Sequence, residues 1–130
     1  TGILCKARPD IWHPELGIIA DLKTTNDASY KSFQYSMEDY GYHVQCAMIQ
    51  EGVYAVTGKI IDDFIFICIE KYPPYAVAIY PLAQDALDDG REQYYEYLKT
   101  YRDCLRTNIW PSYPTRSITL RKFNYLKGLH

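Results

Sequence analysis

The segment Gly17–Lys23, GIIADLK, sets the strongest constraint on how this chain can fold. An apolar run that ends in an acidic–apolar–basic triplet reads as a strand whose charged end leaves the interior. Residues two apart on a strand share a face. Asp21 and Lys23 should therefore project together, with Ile19 deeper on that face and Leu22 directed into the core.

The neighbouring segments supply the rest of a sheet. Ile3 to Arg8 alternates and reads as a half-buried strand, and Pro9 to Gly17, with two prolines and a glycine, reads as its connection to GIIADLK. Two strands joined by so short a loop should be antiparallel neighbours. Asp63 to Glu70 (DFIFICIE) and Tyr75 to Tyr80 are apolar and β-rich, divided by Pro73 and Pro74. Helical spacing appears twice. One helix runs from about Met37 to Glu51, with Gly52 as its stop and Thr25, Asn26 or Asp27 as candidate caps upstream. A long one runs from about Leu82 to Thr107, with Leu87, Tyr94, Leu98, Tyr101 and Leu105 in one stripe and Arg91, Glu92, Glu96 and Lys99 facing outward. The order β-β-α-β-β-α predicts an α/β domain with a central mixed sheet flanked by helices.

Length and composition narrow the function classes. A chain of 130 residues, 48% hydrophobic, is one domain with one real core. A net charge of -2 argues against a generally basic nucleic-acid coat, so any DNA contact must be local or made through metal ions. Cys5, Cys46, Cys68 and Cys104 are scattered without zinc spacing and read as free thiols of a reducing cytosol. No run approaches the roughly 18 apolar residues of a membrane span, and no signal-peptide pattern opens the chain. The start at Thr1, directly into a strand-like segment, suggests a fragment whose missing N-terminal part carries further site residues.

The chemistry lies in Asp10 and the Asp21-Leu22-Lys23 triplet. Hairpin pairing of the first two strands should bring Asp10, just past the end of the preceding strand, beside Asp21. Two carboxylates held close repel unless a cation joins them. A hard divalent ion such as Mg²⁺ satisfies both, with the Leu22 carbonyl and waters completing its shell. An ammonium one strand-step away can orient or deprotonate a water and neutralise a phosphoryl oxygen, which equips the site for phosphodiester hydrolysis. Asp-x-Lys by itself is common on strands, and Asp10 capping the Pro9 turn is the plainer alternative.

Several motifs in order carry a resemblance: KARPD at 6–10, IIADLKTT at 18–25, DYGYHVQCAM at 39–48 and YLKTYRDCLRTNIWPSY at 97–113. Together they resemble the PD-(D/E)XK nucleases of the RecE-like exodeoxyribonuclease type. The resemblance implies a restriction-endonuclease-like core over residues 1–113, followed by a basic tail at 114–130. It implies an enzyme that degrades one strand of linear double-stranded DNA from 5′ to 3′ with Mg²⁺, or Mn²⁺ in its place. It also implies a homo-oligomeric ring around DNA ends and a partner single-strand annealing protein. The family's metal ligands fall on Asp10, Asp21 and the Leu22 carbonyl, and its catalytic lysine on Lys23.

Related nucleases carry a Gln-x-x-x-Tyr motif on the helix after the core strands. Gln45 matches it, but Ile49 stands where the tyrosine should, leaving that contact absent or supplied by Tyr42 or another residue. Gln45, His43 and Tyr42 are candidate DNA contacts, as are Arg116, Arg121 and Lys122 in the tail, each with a structural or solvated alternative. Trp12 and His13 are further candidates near a DNA end. Tyr94, Tyr95, Tyr97 and Tyr101 fit helix packing better than base stacking. The competing functions are an endonuclease or single-strand nuclease of the same superfamily, and a degenerate DNA-binding module.

Overall fold

A computed structural model describes residues 2–120. The elements are β1 (Ile11–His13), β2 (Ile18–Thr25), α1 (Tyr30–Tyr40), α2 (Tyr42–Thr57), β3 (Asp63–Glu70), β4 (Val77–Pro81) and α3 (Gln84–Thr107). The four strands form one sheet in the order β1-β2-β3-β4. β1 pairs antiparallel with β2, β2 parallel with β3, and β3 antiparallel with β4. The expected mixed sheet with helices is therefore present, and α1 and α2 form the crossover that a parallel β2–β3 pair requires.

The core lies on one face of this sheet. Ile19 on β2 and Phe64, Phe66 and Cys68 on β3 pack against Phe33 of α1, Cys46, Ala47, Ile49 and Val53 of α2, and Leu87 of α3. The opposite face carries Leu22, Val77 and Ile79, which remain 48%, 61% and 62% exposed. Tyr80 and Glu70 tie the β2–α1 connection to the sheet: the Tyr80 hydroxyl donates to the Ala28 carbonyl, and the Ala28 amide donates to Glu70.

Several sequence expectations are corrected. Residues 3–8 form no strand; the first strand is the three-residue β1, inside the segment read as a connection. Asp10 thus precedes its strand rather than following it. Alternation alone misled here, because the residues from 4 to 8 are all exposed and have no sheet neighbour to bury them. The single helix read over 37–51 is two. Gly41, with φ 66°, closes α1 through its amide on the Met37 carbonyl and restarts the chain as α2. The chain order is accordingly β-β-α-α-β-β-α. Leu22 does not enter the core, since the core face of β2 is the one carrying Ile19, Asp21 and Lys23. Arg91 is not on the outer face of α3: it reaches Gln50 and Glu51 of α2, while Tyr101 and Leu105 are exposed.

Candidate active site

β2 begins apolar and ends polar, and this gradient builds the site. Ile19 is fully buried, and two residues on, the same face delivers Asp21, only 4% exposed. Two further on comes the half-buried Lys23. The Lys23 ammonium lies 2.6 Å from Asp21 Oδ2. Asp10 arrives from the other side of the β1–β2 pair, where the Leu22 amide donates to Asp10 Oδ2 at 3.0 Å. The Leu22 amide faces away from β3, so an edge that would otherwise be an idle donor fixes the first carboxylate beside the second.

The electrostatics of the two carboxylates are opposed. The Leu22 amide, with a hydrogen bond from Asp21, holds Asp10 below the usual carboxylate range. Burial pushes Asp21 above it; Lys23 works against that shift and Asp10 adds to it. The proton that the pair keeps longest therefore sits on Asp21. Asp21 Oδ2 is sealed from solvent, with the Lys23 ammonium at 2.6 Å as its partner.

α2 closes the site from above. Tyr42 and Gln45, three apart in its first turns, share a helical face. Gln45 Oε1 accepts a hydrogen bond from Lys23 Nζ at 3.0 Å, and the Tyr42 ring centroid lies 4.2 Å from the same ammonium. The sequence did not show the Tyr42–Lys23 contact. Its signal was Gly41, which starts a new helix and so puts Tyr42 in a first turn facing the sheet. Ile49, at the position of the missing tyrosine, is a core residue.

Other candidates lie elsewhere. His43 is 4% exposed and turns to α3, its Nε2 lying 3.0 Å from Asp89 and 3.2 Å from the Gln93 amide. Trp12 and His13 lie on β1; Trp12 packs against the core. Tyr95 bonds to Glu51 of α2 and Tyr97 to Gln93 within α3. Arg116 is exposed in the segment after α3, and Arg121 and Lys122 lie outside the described residues. Cys46 and Cys68 are buried free thiols, whereas Cys5 is exposed.

No cluster of three or more His, Cys, Asp or Glu side chains able to hold a metal occurs among the described residues. A hard cation would have two carboxylates, Asp10 and Asp21, with backbone oxygen and waters for the rest. That donor set suits Mg²⁺, which keeps several waters and takes one or two carboxylates. Two converging carboxylates, one of them sealed from solvent, fit such an ion. No helix among the described residues is long and apolar enough to cross a membrane.

No curated protein matches the chain. Among solved structures it is similar to a protein from Eubacterium rectale named provisionally as an exonuclease, with a TM-score of 0.51 and 21% identity. The match covers 76% of this chain and 45% of that one, so the chain spans about half the neighbour's length. The likeness is one of fold, a restriction-endonuclease-like sheet with its helices. The family described as "PDDEXK-like domain of unknown function (DUF3799)" matches residues 1–122. With nearly the whole chain matched, and Asp10, Asp21 and Lys23 brought together at β2, the chain belongs to this PDDEXK-like family.

Proposed function

We propose that the protein is a Mg²⁺-dependent deoxyribonuclease, with Asp10 and Asp21 as metal ligands and Lys23 as the catalytic ammonium. The observation that carries the reading is the convergence of these three groups. Lys23 Nζ is 2.6 Å from Asp21, and Asp10 is held against the same strand by the Leu22 amide.

Asp10, Asp21 and the Leu22 carbonyl would hold the ion, with Mn²⁺ as the substitute. Bound there, it supplies Lewis acidity toward a phosphoryl oxygen and an attacking water. The chain supplies the rest. Lys23 places a positive charge where phosphate charge develops, with its geometry set in advance by Gln45 and Asp21. Asp21 is buried, so its interaction with any cation is weakly screened by water and salt.

Linear double-stranded DNA is the proposed substrate, cut as an exonuclease from 5′ to 3′ to leave 3′ single strands for recombination. A homo-oligomeric ring on DNA ends and a single-strand annealing partner belong to the same proposal. Its support is the ordered set of RecE-like motifs and a fold neighbour provisionally named an exonuclease. In this reading Gln45 and the tail residues Arg116, Arg121 and Lys122 contact DNA, whereas His43 is buried against α3 and Tyr42 faces Lys23.

The test is digestion of linear and covalently closed duplex DNA with Mg²⁺. Linear DNA should be degraded and closed circles spared. Lys23→Ala and Asp21→Asn should each abolish the activity. Unchanged digestion by either variant refutes the site, and cleavage of closed circles makes the enzyme an endonuclease.

A further inference from the structure

The Lys23 ammonium is enclosed on three sides. Asp21 Oδ2 lies at 2.6 Å, Gln45 Oε1 at 3.0 Å and the Tyr42 ring centroid at 4.2 Å. These partners differ in what a metal does to them. Asp21 is one of the two carboxylates that would take the cation, so its hold on Lys23 weakens as the cation binds. Gln45 and the Tyr42 ring are not claimed in that way. An ammonium left with no other partner would swing to solvent or stay on Asp21 in competition with the ion.

We propose that Tyr42 is a positioning residue for Lys23: its ring face and Gln45 together keep the ammonium in place when Asp21 turns to a metal. The inference rests on the nuclease reading of Asp10, Asp21 and Lys23. The ring is well fixed for this task. It stacks on Tyr40 at 5.7 Å and packs near Phe33 and Phe66, at 6.0 and 6.2 Å between centroids. Its position follows from Gly41, whose left-handed backbone starts α2 immediately before it. The working surface is the π face, which attracts a cation through the ring quadrupole and needs no hydroxyl. Phenylalanine should therefore replace Tyr42, whereas leucine should not.

The first readout needs neither metal nor DNA. In the full-length chain, ring current from Tyr42 should shift the NMR signals of the Lys23 ε-methylene protons upfield. The shift should persist in Tyr42→Phe and vanish in Tyr42→Leu. Calorimetry with Ca²⁺ should then show binding weakened about fivefold in Tyr42→Leu and unchanged in Tyr42→Phe, because the released ammonium competes for Asp21. On linear duplex DNA, Tyr42→Leu should lower kcat about tenfold at unchanged KM, with Tyr42→Phe within about twofold of wild type.

Ordinary Lys23 shifts in the wild type overturn the proposal even if Tyr42→Leu fails to fold. A Phe variant as impaired as the Leu variant overturns it too, because the hydroxyl would then be what acts. A rise in KM alone makes Tyr42 a DNA contact and also counts against it. Lys23→Ala separates the two layers. If that variant digests DNA normally, the nuclease reading falls whatever the NMR signals show; if it is dead while the wild-type shift is absent, only the role of Tyr42 falls.

Discussion

The amide of Leu22 donates to Oδ2 of Asp10 at 3.0 Å, twelve residues back along the chain. This bond makes a site out of two carboxylates that the sequence merely spaces apart. It fixes Asp10 at the outer edge of β2 while the strand turns Asp21 inward, and the two carboxyl groups meet in a hydrogen bond. Leu22 matters through its backbone, and its side chain is half exposed.

Asp10 should be dispensable for folding and indispensable for metal. It is exposed, and its contacts are the Leu22 amide and the neighbouring carboxylate. Asp10→Ala should leave the thermal midpoint within a few degrees of wild type. It should cut DNA digestion on the order of 10²- to 10³-fold and weaken Ca²⁺ binding by at least about tenfold. Calorimetry and a thermal melt on one preparation decide the matter; metal affinity equal to wild type would remove Asp10 from the ligand set.

Metal affinity should fall with acid, and Asp21 should set where. Burial raises its pKa, so a proton is retained there at pH values where an ordinary aspartate is already charged. Protons and the cation compete for that carboxylate, so affinity is full above the raised value and declines as pH falls through it. Asp10, held low by the Leu22 amide, should contribute only in stronger acid. For folding without metal the signs separate. Stability from Asp10 is present above the ordinary aspartate pKa and lost as pH falls through its lowered value. Asp21 acts in reverse, favouring the folded state most when protonated. Ca²⁺ titrations from about pH 8 down to about pH 4 should show one proton taken up per site as the ion leaves; a flat affinity across that range would contradict the assignment.

The thiols should divide by position. Burial pushes Cys46 up to about 12 and Cys68 up to about 11, whereas Cys5 is exposed. The thiolate is the reactive form, so near pH 8 the two buried thiols should react far more slowly than the exposed Cys5, by on the order of 10²-fold or more. A disulfide reagent should therefore label Cys5 at once and Cys46 and Cys68 only after unfolding. Mass spectrometry of the labelled peptides checks this, and prompt labelling of Cys46 in the folded protein would contradict the core described for α2.

The pairing of Asp21 with Lys23 was more legible in the sequence than the scaffold around it. GIIADLK announced its strand because apolar and charged residues are sorted along it, and strand alternation correctly paired Asp21 with Lys23. The same alternation misassigned residues 3–8 and Leu22. Period-two patterning says which residues share a face but not which face a helix covers, and here the crossover helices α1 and α2 pack on the Asp21 side. Gly41 was invisible as a break, because the apolar spacing of Tyr40, Val44, Ala47 and Met48 runs across it. The contact between Tyr42 and Lys23 depends on that break and on how α2 meets β2, a long-range packing choice that local spacing does not encode.

Gly90 tests that packing directly. It lies on α3 where the helix passes closest to α2; a β-carbon there would stand 2.4 Å from the His43 carbonyl oxygen and 3.0 Å from the Val44 nitrogen. Both are backbone atoms, so no side-chain rotation relieves the clash, and α3 must move outward. That movement would stretch the His43–Asp89 contact, 3.0 Å in the structure, and the reach of Arg91 to Glu51, 3.5 Å. Gly90→Ala gains helix propensity of up to about 1 kcal/mol, yet overpacking in a tight contact costs about 1–3 kcal/mol. The second term should win, so the variant is expected to unfold at lower denaturant. Because α2 also carries Tyr42 and Gln45, the displacement should loosen Lys23 as well and lower DNA digestion beyond what instability alone explains. Urea melts and digestion rates at low temperature, where the variant is still folded, read the two effects separately; a Gly90→Ala protein more stable than wild type would mean that α2 and α3 do not approach this closely.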